Sequence, residues 1–156
     1  NIICIIQVYK SIIYIMNLPE LLISLYGNTL YPLKLIGKRY RVSLSQILCI
    51  NSIPIDGITQ TQLAVLLSLD VSTLSRNLDK LEIKNIIVKK SVKVDHRFCT
   101  IFLTDFGQDL FQNILEDFSI YIKQLDLSNS NIEMQVIVDS LENLNWNILK
   151  TKSNYV

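Results

Sequence analysis

Glycine, proline and tryptophan are scarce in this 156-residue chain, which holds four, three and one of them respectively. So few turn-forming residues argue against a loop-rich β-sandwich, and the abundance of Leu and Ile predicts a mainly helical protein. Charged residues are also few, at 19% of the chain against 49% hydrophobic residues. The length suits one domain, with or without an oligomerisation extension, and we expect part of the apolar excess to lie in a subunit interface.

Residues that bind metals or perform catalysis are equally sparse. The one histidine is His96, and the three cysteines, Cys4, Cys49 and Cys99, are too widely spaced to suggest a zinc-ligand cluster. No nucleophile is paired with a base, and no glycine-rich loop is present to cradle a phosphate. The sequence therefore predicts a protein that is not an enzyme and needs no metal or cofactor, with reduced thiols in the cytoplasm.

The most apolar stretch of the sequence, "NIICIIQVYKSIIYIM" (1–16), is interrupted by Lys10. A membrane-spanning helix needs roughly 18 to 20 apolar residues, more than any uncharged run here provides. The stretch also lacks the basic start and the small-residue cleavage site of a signal peptide. Because its apolar residues recur at helical spacing, we predict a packed helix over 2–16 and no membrane partner.

Charge is distributed unevenly along the chain, although the net charge is only +1. Residues 72–97 hold seven cations against three anions, whereas residues 104–150 hold two cations against eight anions. A second basic cluster, 34–41, precedes the basic middle. A basic segment inside a nearly neutral chain indicates a local surface for a negatively charged partner.

Capping signals mark the starts of the predicted helices. The segments "SLSQ" (43–46), "TQTQ" (59–62) and "SNIE" (130–133) fit the capping box, and Asp70 and Thr104 are further N-cap candidates. The predicted helices cover 19–40 with a break near Pro32, 44–52, 60–67, 71–84, 105–125 and 131–149.

A change of period after the predicted helix 71–84 predicts a β-hairpin. Two β-rich runs, 86–92 and 98–103, flank a polar tip. Asn85 stands between helix and hairpin, where a left-handed residue is required and Asn is the best substitute for Gly.

Helices 60–67 and 71–84 are joined by the three-residue turn "SLD" (68–70), which is typical of a helix-turn-helix unit. A major groove admits one helix, whose short hydroxyls and N-terminal amides can reach base edges or phosphates. The hairpin would act as a wing, with its tip "VKVDHR" (92–97) at the adjacent minor groove. The predicted shared core is Leu63, Leu66 or Leu67, Leu69, Val71, Leu74, Leu78 and Leu81, and the predicted outer face is Ser72, Thr73, Ser75, Arg76, Asp79 and Lys80.

Residues 58–111 resemble the core of the MarR family of winged-helix transcription regulators. The family pattern runs through Ile-Thr or Leu-Thr, Leu-Ala, a Ser/Thr-rich recognition helix ending in Arg, Asp-x-Arg in the wing, and Leu-Thr-x-x-Gly. This chain has "ITQTQLA", "STLSR", "DHR" and "LTDFG" in that order, and "VSLSQILCI" (42–50) matches the preceding helix. Ser68 and Asn85 depart from the pattern, since glycine is usual at both positions.

The resemblance implies a mainly α fold with a small β-hairpin wing, a winged helix-turn-helix lobe at 42–103, and dimerisation helices at 1–41 and 104–156. It implies a homodimer whose recognition helices enter successive major grooves of a pseudo-palindromic DNA operator, about 34 Å apart. It further implies repression relieved by a small-molecule effector, or by thiol oxidation in some members. Arg97 would enter the minor groove, and Asp95 would orient it or bond the recognition helix.

The candidate DNA-binding residues lie on the second helix of the pair and on the wing. Lys80, together with Lys84, Lys89 and Lys90, is expected to attract phosphates rather than to read sequence. Each candidate also has a plainer interpretation: the hydroxyls as a solvated helix face, Arg76 as a brace against Asp79 or Asp95, Asp95 as a turn former, and His96 as an exposed residue. The full set is Ser72, Thr73, Ser75, Arg76, Lys80, Lys93, Asp95, His96 and Arg97.

Two other functions stay open. A thiol-based redox regulator needs an accessible thiolate, for which Cys4 is the loosely placed candidate. A winged-helix module for protein assembly would leave the basic residues merely solvated, and the net charge of +1 and the apolar flanks favour it. Aromatic residues at helical spacing are candidates either for an effector cleft or for interface packing: Tyr26, Tyr31, Tyr40 and Trp146.

Overall fold

The computed structural model describes residues 17–92, 95–124 and 133–153, except for the side chains of 91–98, 152 and 153. The predicted helix 2–16 and Ser130 of the third capping box lie outside these residues. In chain order the elements are α1 (Leu18–Arg39), α2 (Leu44–Asn51), β1 (Ile58–Thr59), α3 (Gln60–Leu67), α4 (Val71–Ile83), β2 (Ile87–Val92), β3 (Asp95–Leu103), α5 (Asp105–Lys123) and α6 (Met134–Ser153). The mainly α fold with a small β-sheet is confirmed.

Local capping fixes where these helices begin. Ser43 accepts a hydrogen bond from the Gln46 amide at 3.2 Å, and the Gln46 side chain accepts from the Ser43 amide at 2.9 Å. Thr59 and Gln62 form the same reciprocal pair at the start of α3. The predicted capping boxes at Ser43 and Thr59 are therefore confirmed. Each box satisfies backbone donors that the helix itself leaves unpaired.

Pro32 does not interrupt the first helix. α1 runs without a break from Leu18 to Arg39, so the predicted break near Pro32 is wrong. Proline lacks the amide that would bond the carbonyl of Asn28, four residues earlier. Asn28 is exposed, so water can satisfy that carbonyl. The burial of Pro32 in the same stretch as Ile36 and Gly37 favours the continued helix.

The hairpin belongs to a three-stranded antiparallel sheet with the order β1–β3–β2. β1 contains only Ile58 and Thr59, which pair with Ile101 and Thr100 of β3. The sequence patterns did not predict this strand. β3 begins at Asp95 rather than at the predicted residue 98, and an irregularity in the pairing between Ser91 and Val92 lies near the tip of the hairpin.

The core lies where α2, α3 and α4 pack together over the sheet and the first half of α5. Tyr40 and Arg39, at the end of α1, hold α5 through its Asp117 carboxylate, at 3.0 and 2.6 Å. The completely or almost completely buried apolar side chains are Cys49, Ile50, Leu63, Leu74, Leu78, Leu81, Ile86, Ile87, Ile101 and Ile114.

The start of α5 lies against the turn between α4 and β2. Asn85 has the predicted left-handed conformation, with φ of 56°. The carbonyl of Ile86 accepts a hydrogen bond from the Thr104 amide at 3.1 Å. The Thr104 hydroxyl in turn accepts from the Gly107 amide at 2.9 Å, which confirms Thr104 as an N-cap. The closeness of these backbones requires glycine at position 107, since a Cβ there would stand 2.0 Å from the Ile86 carbonyl oxygen.

Backbone contacts divide the chain into two compact units, residues 1–122 and 123–156. The first unit contains α1 to α4, the sheet and nearly all of α5, and the second contains α6. The predicted domain boundaries at 41/42 and 103/104 remain a prediction. Among the helices described, none has the length and apolar character that crossing a bilayer requires.

We predict that Gly107→Ala lowers the free energy of unfolding by roughly 1–3 kcal/mol, since the new methyl group must displace backbone. Gly27→Ala is the matched control, because Gly27 also lies in a helix but a Cβ there meets nothing within 4 Å. The control should gain about 0.5–1 kcal/mol. Urea titrations of both variants provide the measurement, and equal effects would contradict the close approach of α5 to Ile86.

Candidate nucleic-acid interface

A tight turn joins α3 to α4. Ser68 ends α3 in the left-handed conformation with φ of 54°, and the Leu69 amide donates to the Ala64 carbonyl at 3.0 Å. Position 68 therefore has the left-handed backbone conformation for which glycine is usual, and serine adopts this conformation at a modest cost in conformational energy. Ala64 is almost fully buried in α3, where a small side chain lets α4 approach closely.

The three leucines of α4 decide which of its side chains face outward. Leu74, Leu78 and Leu81 are completely buried, as predicted. The opposite face is polar, and its exposed members are Ser72, Thr73, Arg76, Asp79 and Lys80, while Ser75 is half-buried. The outward placement of these residues matches the sequence prediction, apart from Ser75.

Val71 differs from the predicted core, and Leu69 is only half-buried. Val71, the first residue of α4, is 51% exposed instead of buried. At a helix start, a side chain next to the inward row has no preceding turn to pack against, so it stays in solvent. Of the two alternatives on α3, Leu67 is the one that packs against the core, and Leu66 is 37% exposed.

Asp70 caps α4 with an unusually complete set of hydrogen bonds. Its Oδ1 accepts from the Thr73 amide at 2.8 Å and from the Ser72 hydroxyl at 2.5 Å. Its Oδ2 accepts from the Thr73 hydroxyl at 2.7 Å. These bonds from Ser72 and Thr73 hold the pKa of the Asp70 carboxyl well below its usual range. The carboxylate is therefore ionised throughout the neutral pH range.

Arg76 and Lys80 are the exposed cations on the outer face of α4. Among the side chains that the structure describes, neither forms an ion pair. The interpretation of Arg76 as a brace against Asp79 is not supported, because Asp79 binds Lys89 instead. The side chain of Asp95, the other proposed brace, lies outside the described side chains.

Lys89 joins the hairpin to α4. Its Nζ lies 2.6 Å from Asp79 Oδ1 and 2.9 Å from Glu82 Oε2. Partial burial acts to lower the pKa of Lys89, but the hydrogen bonds with Asp79 and Glu82 outweigh it and raise the pKa. The two carboxylates offset the charge of Lys89, which weakens the expectation that Lys89 attracts phosphates.

Two further lysines of the basic segment also have local partners. Lys84 donates to the backbone carbonyl of Arg41, and the Lys90 ammonium lies 5.0 Å from the centroid of the Phe102 ring. Lys84 thus links the end of α4 to the α1–α2 turn, where Arg41 has a φ of 57° that the sequence patterns did not predict. The local field around α4 is weaker than a count of cations indicates.

The wing is present as a backbone feature. β2 and β3 pair antiparallel from Ile87 with Leu103 to Val92 with Asp95, so the Asp-His-Arg motif lies at the start of β3. Lys93 lies outside the described residues, and the side chains of Asp95, His96 and Arg97 are also outside the description. Their predicted roles at a minor groove therefore stay predictions.

The described cysteines differ in access. Cys49 is completely buried in α2, and burial raises the pKa of its thiol to about 11. A thiol so placed is unreactive near neutral pH. Cys99 is half-buried in β3, and Cys4 lies outside the described residues. Within the described ranges, no group of His, Cys, Asp and Glu side chains could hold a metal ion.

An open groove of about 530 Å³ lies between the end of α1 and the start of α2. Of the aromatic residues proposed for an effector cleft, Tyr31 lines this groove, whereas Tyr40 binds Asp117 of α5. The other lining residues are Lys34, Leu35, Lys38, Val42, Ser43, Leu44 and Ser45.

Comparison with known proteins gives matches among solved structures alone, since no family model and no curated protein matches the chain. A cysteine-to-serine mutant of MarR from E. coli superimposes with a TM-score of 0.68 and 23% identity, covering 86% of this chain and 98% of that one. A further MarR structure gives 0.76 and 17%, covering 90% and 96%. A mutant of MepR from S. aureus, bound to an oligodeoxyribonucleotide, gives 0.59 and 19%, covering 90% and 99%.

Cys49 should resist alkylation in the folded protein, since its buried thiol is almost entirely protonated at pH 8. Peptide mass spectrometry after a timed pulse of iodoacetamide measures this, with the urea-unfolded protein as the reference. Reaction of Cys49 at the unfolded rate would contradict the packing of α2.

The likeness to the two MarR structures and the MepR structure extends over nearly the whole length of each of them. The chain therefore has the winged-helix fold of the MarR regulators.

Proposed function

We propose that this chain is a sequence-specific regulator of transcription that binds double-stranded DNA and performs no catalysis. The observation that carries the proposal is the outer face of α4: Ser72, Thr73, Arg76 and Lys80 are exposed together, directly after a tight turn. Short polar side chains and cations on one helix face suit the edges and phosphates of a major groove. α4 enters that groove, and the wing, 92–98, lies at the adjacent minor groove.

The regulator acts as a homodimer on a pseudo-palindromic operator in the cytoplasm. Support comes from the many large apolar side chains that the single chain leaves exposed to solvent. Exposed apolar surface of this kind marks an interaction site in a protein with few charged residues. Dimerisation would bring two copies of α4 to successive major grooves. The most exposed of these side chains on α1, α5 and α6 are Leu18, Ile23, Tyr26, Tyr31, Phe106, Ile120, Val136, Leu141 and Trp146.

We propose that the protein represses transcription and that a small ligand relieves this repression. The groove beside Tyr31, with Lys34 and Lys38 on its wall, is the place where such a ligand has space. Two ammonium groups favour a ligand with an acidic group. Redox control stays an alternative through Cys4, which lies outside the described residues, whereas Cys49 is unsuited to it because its thiol is buried and the pKa of that thiol is raised.

A gel-shift titration against the DNA beside the chain's own gene tests the proposal. Arg76→Ala and Arg97→Ala should each weaken binding by about 1–3 kcal/mol, because each removes a cation from a groove contact. Lys123→Ala, an exposed cation at the end of α5, is the matched control and should bind like the parent. Absence of binding at low salt, or binding unaffected by the two arginine changes together, would overturn the mechanism.

Sedimentation equilibrium tests the dimer. We expect a stable dimer at micromolar concentration, since the exposed apolar side chains need a partner surface. Trp146→Glu should shift the equilibrium toward monomer, because Trp146 is 58% exposed and a charge there opposes burial in an interface. Glu142→Gln, on the same helix and also exposed, is the control and should leave the dimer intact.

An assembly module that binds no DNA is the second candidate. The observation that favours it is the local pairing of Lys84 and Lys89, which reduces the charge available for phosphates. The gel shift separates the two functions: an assembly module would form the dimer but retain no DNA at any salt concentration.

A further inference from the structure

Hydrogen-bond geometry fixes the polarity of the two hydroxyls at the start of α4. The Ser72 and Thr73 hydroxyl oxygens lie 2.5 and 2.7 Å from the Asp70 carboxylate. A carboxylate has no proton to give, so each hydroxyl must donate its only proton to Asp70. Toward solvent, both hydroxyls therefore present lone pairs alone, and they act there as acceptors.

The same carboxylate changes what the helix start can bind. A free helix N-terminus attracts phosphates through unpaired amides and a positive dipole end. Here Asp70 occupies the Thr73 amide at 2.8 Å and adds a negative charge, which the low pKa of its carboxyl preserves. Phosphate oxygens are themselves acceptors, so they meet no donor at the two hydroxyls. The first turn of α4 is consequently less suited to phosphates than a helix start without an acidic cap, and the expectation that its other amides bind phosphates stays a prediction.

An exposed apolar side chain immediately precedes these acceptors in the chain. Val71 is the first residue of α4, and 51% of its surface is open to solvent. It precedes Ser72 and Thr73, both of which are exposed. One short segment, 71–73, thus offers two methyl groups and two oriented acceptors.

Few groups in the major groove can bond to the two acceptor hydroxyls or pack against the apolar Val71. Adenine N6 and cytosine N4 are its hydrogen-bond donors, and the thymine methyl is its apolar group. An A·T pair carries a donor and a methyl group together, whereas an unmodified G·C pair carries only the donor. 5-Methylcytosine paired with guanine restores the combination, because it has both the amine and the methyl group.

We infer that residues 71–73 are a specificity element that selects base pairs presenting an exocyclic amine and a pyrimidine 5-methyl group in the major groove. Asp70 is the positioning residue of this element, since it orients both hydroxyl protons away from the DNA. Val71 supplies the apolar contact to the methyl group. The inference rests on the proposed DNA-binding function and adds the chemical identity of what α4 reads.

The first step of the test is selection of binding sites from random duplexes by the full-length chain. Each selected site is then altered one base at a time, with purine in place of adenine to remove the amine and uracil in place of thymine to remove the methyl group. We expect at least one pair per half-site at which loss of the amine weakens binding roughly 2- to 10-fold. Loss of the methyl group at the same or the adjacent pair should weaken it about fourfold.

Two variants assign the effects to residues. Asp70→Asn keeps an N-cap oxygen, so α4 still forms, but the amide has one acceptor oxygen instead of two and frees a hydroxyl proton. Discrimination between adenine and purine should then fall to less than twofold. Val71→Ala should instead abolish discrimination between thymine and uracil and leave the amine effect unchanged. Asp56→Asn, an exposed loop residue, is the charge-matched control and should preserve both ratios.

The possible outcomes separate the inference from the function on which it rests. Absence of DNA binding at low salt overturns both. Selective binding to sites that are insensitive to both base changes overturns the inference alone, as does an unchanged adenine-to-purine ratio in Asp70→Asn. Gain of affinity when 5-methylcytosine replaces cytosine at the identified pair supports it.

Discussion

The complete burial of Leu74, Leu78 and Leu81 is the constraint on which the rest of the lobe depends. These three side chains fix the rotation of α4 about its own axis, because any turn of the helix would bring one of them into solvent. With the rotation fixed, Thr73, Arg76 and Lys80 have to face outward. The apolar row therefore selects the polar face, and the tight turn at Ser68 and the cap at Asp70 set only where that face begins.

Positive charge has two different uses around this face. Lys89 forms ion pairs with Asp79 and Glu82, and these pairs join the sheet to α4. The two carboxylates offset the positive charge of Lys89, so it contributes little to the attraction of an outside anion. Arg76 and Lys80 project into solvent from the same helix. The distinction depends on the position of acidic partners in space, which a count of cations along the chain does not contain.

Sequence reasoning was sufficient for most features whose interacting groups lie within about four residues of each other, although it predicted a break near Pro32 and missed the left-handed Arg41. The caps at Ser43, Thr59 and Asp70 and the left-handed Asn85 belong to this class, and so do the starts of α2, α3, α4 and α5. Features that depend on a distant element were missed. β1 exists only because β3 lies beside it, and Lys89 of β2 has its partners on α4. For the candidate site, the helix face was predictable from periodicity, except that Val71 lies at its edge and is exposed.

An interface with few free cations gains little affinity that is independent of sequence, because counterion release grows with the number of phosphates neutralised. Under the proposed function, the energy that distinguishes one DNA site from another must then come from contacts that differ between bases. Asp70 favours this in two ways: it reduces the attraction of the helix start for phosphates, and it holds two hydroxyls in a single orientation. A hydroxyl held in one orientation can bond only to a hydrogen-bond donor on the base, whereas a freely rotating hydroxyl can bond to a donor or to an acceptor. The carboxylate that stabilises the start of α4 therefore also makes its first turn selective.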